Sequence, residues 1–398
     1  MEASSHTPPA RDAPDSPASP AWESGPTSRR PPGQPPRGSF VTSSPGQSPP
    51  AAGRDWSPLR YRFGAVEVRS DVSLPGYGAY LAVPPGQRAA GAVAGGARPV
   101  DGRGQGLPTV VVHGTATAAP TTGPVLARIS TRRGPLEVRA AGGADQVVTV
   151  AGLAPYTLHA DQSVSWHLTG APSRAEADHF VSATLPWALA RGPGTSVLHA
   201  ATLVGPAGAV LLAGRSGAGK STLSTALHRR LGWPLLGDDA AVLRLDGTDA
   251  QVLSCSREVR LWDDAGRLLG LGAGTPLPQY GTKSRHQVAG PADRPVPVAA
   301  VIQVDSPQEH SVSGDQPAGG QLPTVLTALR PVDGLLLLRG GLMRTAFTPV
   351  ADAAEEFEFL TRWMQGVVFA ALRYPHRPAA LDEAIDLIAD FAASRRAA

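Results

Sequence analysis

The stretch GRSGAGKST, residues 214–222, decides how the rest of the chain is read. It follows an apolar run, AVLLAG at 209–214, and precedes LSTALHRRL at 223–231, whose apolar residues recur with helical spacing. A strand, a glycine turn and a helix in that order make a cradle for nucleotide phosphates. Gly214, Gly217 and Gly219 let backbone N–H groups turn inward, and the helix N-terminus adds its partial positive charge. Lys220 reaches the outer phosphates and the Ser221 hydroxyl can ligate magnesium, with Arg215, Ser216, Ala218 and Thr222 completing the nucleotide-binding stretch.

The lysine in that stretch is unusual for its rarity. Of 36 basic residues only Lys220 and Lys283 are lysine, while the chain holds 45 Gly, 40 Pro and no Asn. Such usage fits a GC-rich coding source that favours Ala, Arg, Gly and Pro codons. A lysine that survives there is a candidate for a role arginine cannot fill, because a compact ammonium fits inside a phosphate loop and a planar guanidinium does not. Lys283 is singled out on the same ground, as a phosphate-facing group or as part of a solvated loop.

Charge and cysteine content exclude several classes. The net charge is only +3, and the arginines are scattered among acids instead of forming a basic stripe, so nucleic acid is not an expected partner. One cysteine excludes an internal disulfide framework, and no His and Cys stand at zinc spacing. No apolar run reaches spanning length and no secretory pattern opens the chain, so no membrane contact and a cytoplasmic location are expected.

Three regions follow from the patterning. Residues 1–56 are dominated by Pro, Ser, Gly and Arg without apolar periodicity, which predicts a disordered tail. Residues 57–172 carry short alternating runs (RYRFGAVEVRSDV, TVVVHG, PLEVRAA, QVVTVAG, VSWHLTG) between Gly/Pro turns and predict a β-rich domain. Residues 173–398 hold the glycine loop; SRAEADHFVSATLPWALARG opens them as a helix capped by Ser173. Further on, PVAAVIQV predicts a strand, LPTVLTAL a short helix, and AEEFEFLTRWMQGVVFAAL and LDEAIDLIADFAA amphipathic helices serving the core or a homo-oligomer contact. The stretch 263–296 is rich in Gly, Pro and Arg and reads as the loop region where an acceptor docks.

Behind the glycine loop, GWPLLGDDAAVLRLDG carries adjacent acids, Asp238 and Asp239, at the end of an apolar run. Gly-Asp-Asp is an ordinary turn sequence, but two carboxylates there can divide the work of phosphoryl transfer, one holding magnesium and one orienting an attacking hydroxyl. His199, in SVLHAA, stands just ahead of the loop and can orient one of them.

The order of LHAA around His199, GRSGAGKST and LLGDD resembles the HPr kinase/phosphorylase family, especially its short serine-kinase relatives associated with bacterial peptide modification. RYRFGAVEVRSDVSLP is similar to the opening of the β-rich domain in those relatives. The resemblance covers roughly residues 57–290 and implies an α/β P-loop kinase core of the HPr kinase/phosphoenolpyruvate carboxykinase type, with a mixed sheet, behind the small β-rich domain. It implies ATP and Mg2+, a peptide or protein acceptor bearing a Ser hydroxyl, Asp238 and Asp239 as the acidic pair of catalysis and metal binding, Ser221 on the metal, and His199 supporting the pair; of the two acids, Asp238 is assigned to the hydroxyl and Asp239 to the metal. Glu258, in REVRL, corresponds to a Glu-x-Arg segment and becomes a third metal candidate; Lys283, in YGTKSRH, falls where the short relatives place a lysine. The family's C-terminal signature for phosphorylated-protein cleavage is not recognisable.

Other readings remain. A small-molecule P-loop kinase also pairs such a loop with a following Gly-Asp but leaves the β-rich region unexplained. A non-catalytic nucleotide-binding module leaves the Asp pair unused. An ABC-like ATPase is echoed by SGDQ and GGQ at 313–321, yet no apolar strand ends in Asp-Glu: VAAVIQVDS offers Asp305 followed by Ser306.

Overall fold

The computed structural model describes residues 58–82, 107–131, 133–192, 194–256, 258–277, 281–288, 294–305, 322–343, 353–375 and 377–394. The expected tail and the 313–321 echo lie outside the described residues.

The N-terminal half is an eight-stranded sheet. In chain order its strands are β1 (Leu59–Phe63), β2 (Val66–Ser70), β3 (Thr109–Thr115), β4 (Val125–Thr131), β5 (Gly134–Ala140), β6 (Gln146–Val150), β7 (Tyr156–Leu158) and β8 (Val164–His167). They lie in the order β1-β2-β3-β8-β7-β6-β5-β4. Contacts between β2, β3 and β8 are parallel and the others antiparallel. Alternation sets the faces: Tyr61, Phe63, Val66 and Val68 are buried, while Arg60 and Glu67 pair on the other side at 2.9 Å.

Helices α1 (Arg174–His179) and α2 (Leu185–Ala190) cover that core. Ser173 caps α1 as expected, its hydroxyl accepting from Glu176 N–H while the Glu176 carboxylate accepts from Ser173 N–H. The expected single helix is interrupted by a wide π-type turn at Phe180–Thr184, because Pro186 has no N–H to offer the carbonyl one turn back.

Six further strands come next: β9 (Thr195–Leu198), β10 (Ala200–Gly205), β11 (Gly208–Ala213), β12 (Leu235–Gly237), β13 (Ala241–Asp246) and β14 (Asp249–Leu253). Helix α3 (Lys220–Leu231) links β11 to β12. A three-stranded antiparallel sheet follows, from β15 (Glu258–Trp262), β16 (Thr275–Pro276) and β17 (Lys283–Gln287), with α4 (Asp263–Leu268) after β15. The described chain ends with β18 (Val296–Asp305), β19 (Val325–Ala328), α5 (Pro331–Gly341), α6 (Ala353–Trp363), β20 (Val368–Arg373) and α7 (Pro378–Ala393). Strands β18, β19 and β20 join β9 to β14 in a second, nine-stranded sheet. That sheet is mixed, since β18 runs parallel to both β11 and β20 while β10 and β11 are antiparallel.

The apolar run of β11 is explained by burial on both faces. Val210 and Leu212 pack towards α3 and α7, whereas Ala209, Leu211 and Ala213 pack with Leu338 of α5 and Trp363 of α6.

Three expectations are corrected. LPTVLTAL is not a helix: Val325–Ala328 pair with β20, where β-branched residues fit the pleated surface. AEEFEFLTRWMQGVVFAAL is not one helix, since α6 ends at Trp363, Gly366 turns with φ 78, and VVFAAL enters the sheet between β18 and β19. The 263–296 stretch contains α4, β16 and β17. None of the described helices is long and apolar enough to cross a membrane.

Candidate functional site

The loop after β11 is shaped by close approach to β18. At Gly214, φ is +146°, and a Cβ would lie 2.5 Å from the Val304 carbonyl oxygen, so no side chain fits. Gly219 caps α3 with φ 88 in the left-handed region, which aims the first-turn amides of the helix at the mouth of the loop.

Lys220 is 5% exposed. Its Nζ donates to the carbonyls of Gly214 at 2.8 Å and Arg215 at 3.0 Å, and lies 3.1 Å from His199 Nε2. On the far side of the ring, His199 Nδ1 is 2.9 Å from the Asp239 carbonyl oxygen. A carbonyl only accepts, so Nδ1 carries the proton and Nε2 accepts from the ammonium. Burial and the Lys220 charge hold His199 below the usual histidine range, which keeps the imidazole neutral. Burial also lowers Lys220, against the opposing pull of Asp239 and Asp238.

The expected support of the acidic pair by His199 runs through the backbone of Asp239. The histidine meets the backbone of Asp239 and the ammonium of Lys220 instead of the Asp238 carboxylate.

The two acids after β12 sit in different surroundings. Asp238 is 2% exposed; its Oδ2 accepts from Arg260 N–H at 2.9 Å and its Oδ1 is buried with no hydrogen-bond partner among the described residues. Burial and the adjacent Asp239 charge push this carboxyl up to about 7, against the Arg260 N–H, the Ser221 hydroxyl and Lys283. Asp239 faces the cleft, with Oδ2 3.6 Å from Arg260 Nη1. Burial raises its pKa, but Arg260, Lys283, His199 and Lys220 together bring it below the ordinary value.

His199, Lys220, Asp239 and Arg260 border a cleft of about 500 Å3, with Asp238 buried behind them. The loop and α3 contribute Ser216, Gly217, Gly219, Lys220, Ser221 and Thr222; His199, Asp239, Arg260 and Lys283 supply charge and polarity. Lys283 stands on β17, with Nζ 5.8 Å from the ring centroid of Trp262 on the paired strand β15. Glu258 is not brought to the cleft. Its carboxylate turns to Arg285, with Oε2 3.3 Å from Nη1, and burial pushes it up to about 7.

Sequence reading missed the outer wall: Trp262, Ala265 and Leu268, with Tyr374, Arg377, Pro378 and Leu381 from the C-terminal end. The alternation of Arg260 and Trp262 along REVRLW was a usable signal once β15 is known as a strand. Nothing local marks Tyr374 or Arg377, which arrive only because β20 pairs with β18.

The volume suits a nucleotide-sized ligand. Among the described residues no group of three or more His, Cys, Asp or Glu could hold a metal alone. Magnesium commonly takes one or two carboxylates together with substrate phosphates and water, so Ser221 and the Asp pair fit a metal that arrives with a nucleotide.

No protein-family model matches the sequence, and no curated protein matches it. Among solved structures, the chain is similar to the HPr(Ser) kinase/phosphatase from Coxiella burnetii, with 17% identity over 50% of this chain and 90% of that one, at a TM-score of 0.24. At that level of likeness no statement about activity rests on it.

Proposed function

We propose that the chain is a magnesium-dependent kinase that transfers the γ-phosphoryl of ATP to a Ser hydroxyl of a peptide or protein. The observation that carries this reading is convergence: a glycine loop, Lys220, Ser221 and Asp239, from the end of another strand, border one cleft, with Arg260 and Lys283 across it and Asp238 buried next to Asp239. In such a site the loop amides and Lys220 bind the phosphates, once the ammonium exchanges its carbonyl partners for phosphate oxygens. Lys283 and Arg260 neutralise charge on the group in transit. The acceptor oxygen forms its bond to the γ-phosphorus as the bond to the β–γ bridging oxygen breaks, and ADP leaves.

Exposure favours a division of the acids opposite to the one read from the sequence. Asp239 faces the cleft and is proposed to accept the acceptor's proton, while buried Asp238, close to Ser221 and with an unpartnered oxygen, is proposed to hold the metal side. Geometry comes before pKa in choosing a base, and phosphoryl transfer needs orientation more than basicity. Bound magnesium would supply charge neutralisation at the β- and γ-oxygens.

The test uses Asp238→Asn and Asp239→Asn with ATP, magnesium and a Ser-containing peptide library, following phosphopeptide by mass spectrometry and nucleotide binding separately. Asp239→Asn is expected to bind magnesium-ATP while transferring at least about 100-fold more slowly. Asp238→Asn is expected to lose the magnesium dependence of nucleotide binding. Normal phosphorylation by both variants would sink the kinase reading.

A further inference from the structure

Strand order gives the cleft two ends. Strands β12, β11, β18 and β20 all point the same way, since β10 is antiparallel to both β11 and β12 while β18 is parallel to β11 and to β20. Their C-terminal ends therefore lie along one edge of the sheet. The glycine loop leaves β11 there, Asp238 and Asp239 follow β12, and Tyr374 and Arg377 follow β20. Across the C-terminal half of β18 the order is β12-β10-β11-β18-β20, so the acids stand two strands to one side of the loop and Arg377 two strands to the other. Two strand spacings amount to roughly 10 Å. A nucleotide with its outer phosphates at Asp239 and its inner phosphates in the loop must extend its nucleoside towards the β20 side.

Arg377 has a need on that side that the protein leaves unmet. Its backbone is fixed where α7 begins: its N–H donates to the Pro375 carbonyl at 2.8 Å, and its carbonyl accepts from Leu381 N–H at 3.1 Å. One end of its guanidinium is steadied, with Nη2 3.5 Å from Glu383 Oε1, while Glu383 Oε2 accepts from the Thr324 hydroxyl at 2.5 Å. Nε, by contrast, is buried with no hydrogen-bond partner among the described residues, although Arg377 borders the cleft. A buried donor left unpaired is costly, and a ligand atom beside it would complete it. The neighbouring wall is Tyr374, Pro378 and Leu381, of which Tyr374 and Leu381 are otherwise buried. A single donor set among apolar groups suits a heterocycle and its sugar, whereas a phosphate draws several donors, as the glycine loop supplies.

We propose that the junction of β20 and α7 is the nucleoside end of the cleft, where Arg377 Nε–H donates to the sugar or base and Tyr374, Pro378 and Leu381 form the apolar surface beside it. This rests on the nucleotide reading above, in which Asp239 marks the γ-phosphoryl end.

Binding tests it without turnover. Isothermal titration compares wild type, Arg377→Met and Arg377→Lys with magnesium-ATP and with magnesium-tripolyphosphate, which carries the phosphates but no nucleoside. Arg377→Met is expected to weaken ATP at least about tenfold and tripolyphosphate less than about twofold. Arg377→Lys keeps the charge but has no N–H at the Nε position, so it is expected to behave like Arg377→Met, and it decides the question where the Met variant fails to fold. Equal weakening of both ligands would put Arg377 on the phosphates, and unchanged ATP affinity would leave it a surface ion pair with Glu383. Either result, or wild-type ATP affinity in Arg377→Lys, overturns the proposal. A wild-type protein that binds tripolyphosphate as tightly as ATP keeps the phosphate cradle and overturns the nucleoside end alone. One that binds neither defeats the nucleotide reading, and this proposal with it.

Discussion

Burial and the neighbouring Asp239 charge push the Asp238 carboxyl up to about 7, well above the value of about 4 that the unfolded chain gives it. A raised carboxyl pKa means that the folded state holds the proton more tightly than the unfolded state. The contribution to stability is therefore fully present below about pH 4 and is lost as pH rises through about 7. Asp238→Asn removes the titration, so the nucleotide- and metal-free variant should melt several degrees above wild type at pH 8, with the gap closing towards pH 5. Thermal melts across that range check it, and a gap that widens on acidification contradicts it. Asp239, held below its ordinary value, works in the opposite sense: its contribution is present above the ordinary carboxylate range and is lost on acidification. The lysines give a second expectation at this scale. Lys220→Ala should abolish measurable ATP binding, because no other side chain replaces an ammonium within the loop. Lys283→Arg keeps the charge but not its compact shape, and should lower kcat about tenfold while leaving ATP affinity nearly intact. Isothermal titration and initial rates separate the two, and wild-type rates for Lys283→Arg would return that residue to a surface role.

The segment from β11 through the glycine loop into α3 shows what local sequence reveals and what it hides. Its strand, turn and helix were legible because AVLLA is continuously apolar, three glycines interrupt it and LSTALHRRL resumes with helical spacing. The requirement for glycine at 214 was legible only as part of the motif; its cause, the Val304 carbonyl oxygen 2.5 Å from where a Cβ would stand, lies on β18, far along the chain. Gly214→Ala should accordingly destabilise the protein by about 2–3 kcal/mol and weaken ATP binding as the loop shifts, with urea unfolding as the measurement. The hairpin of β15 and β17 is the opposite case. Its tip was read as loop because Gly, Pro and Arg dominate the composition, whereas pairing of Trp262 with Lys283 and Arg260 with Arg285 is a long-range choice. LPTVLTAL failed for the same reason, since β20 recruits it as a strand. Acids and bases of the cleft were thus visible one by one, while their partners, such as Asp178 for Arg285, were not.

Across residues 58–394 the β-rich half and the half bearing the cleft share a core, and that sharing has a measurable consequence. Phe63, Trp166 and Phe180 belong to the same buried cluster as Val242, Leu253 and Cys255. Ala65 N–H donates to the Ser254 carbonyl at 3.0 Å, next to Cys255 in the chain. Opening either half would therefore expose apolar surface of the other, which favours one cooperative transition over two. Cys255 reports on this directly. It is 3% exposed, its Sγ donates to the Ala240 carbonyl at 3.3 Å, and burial pushes its thiol up to about 12, so the native protein should be inert to thiol reagents. Labelling must wait for the shared core to open. In increasing sub-denaturing urea, the opening free energy obtained from labelling rates should converge on the global unfolding free energy measured by tryptophan fluorescence. On the proposed kinase function, saturating magnesium-ATP should slow labelling by the factor expected from its affinity, because a ligand of the cleft would bind only the folded protein. Removing residues 1–56 should change neither quantity, since their composition offers little apolar surface to bury. Labelling at a much lower free energy, with fluorescence still native, would show instead that the two halves open independently.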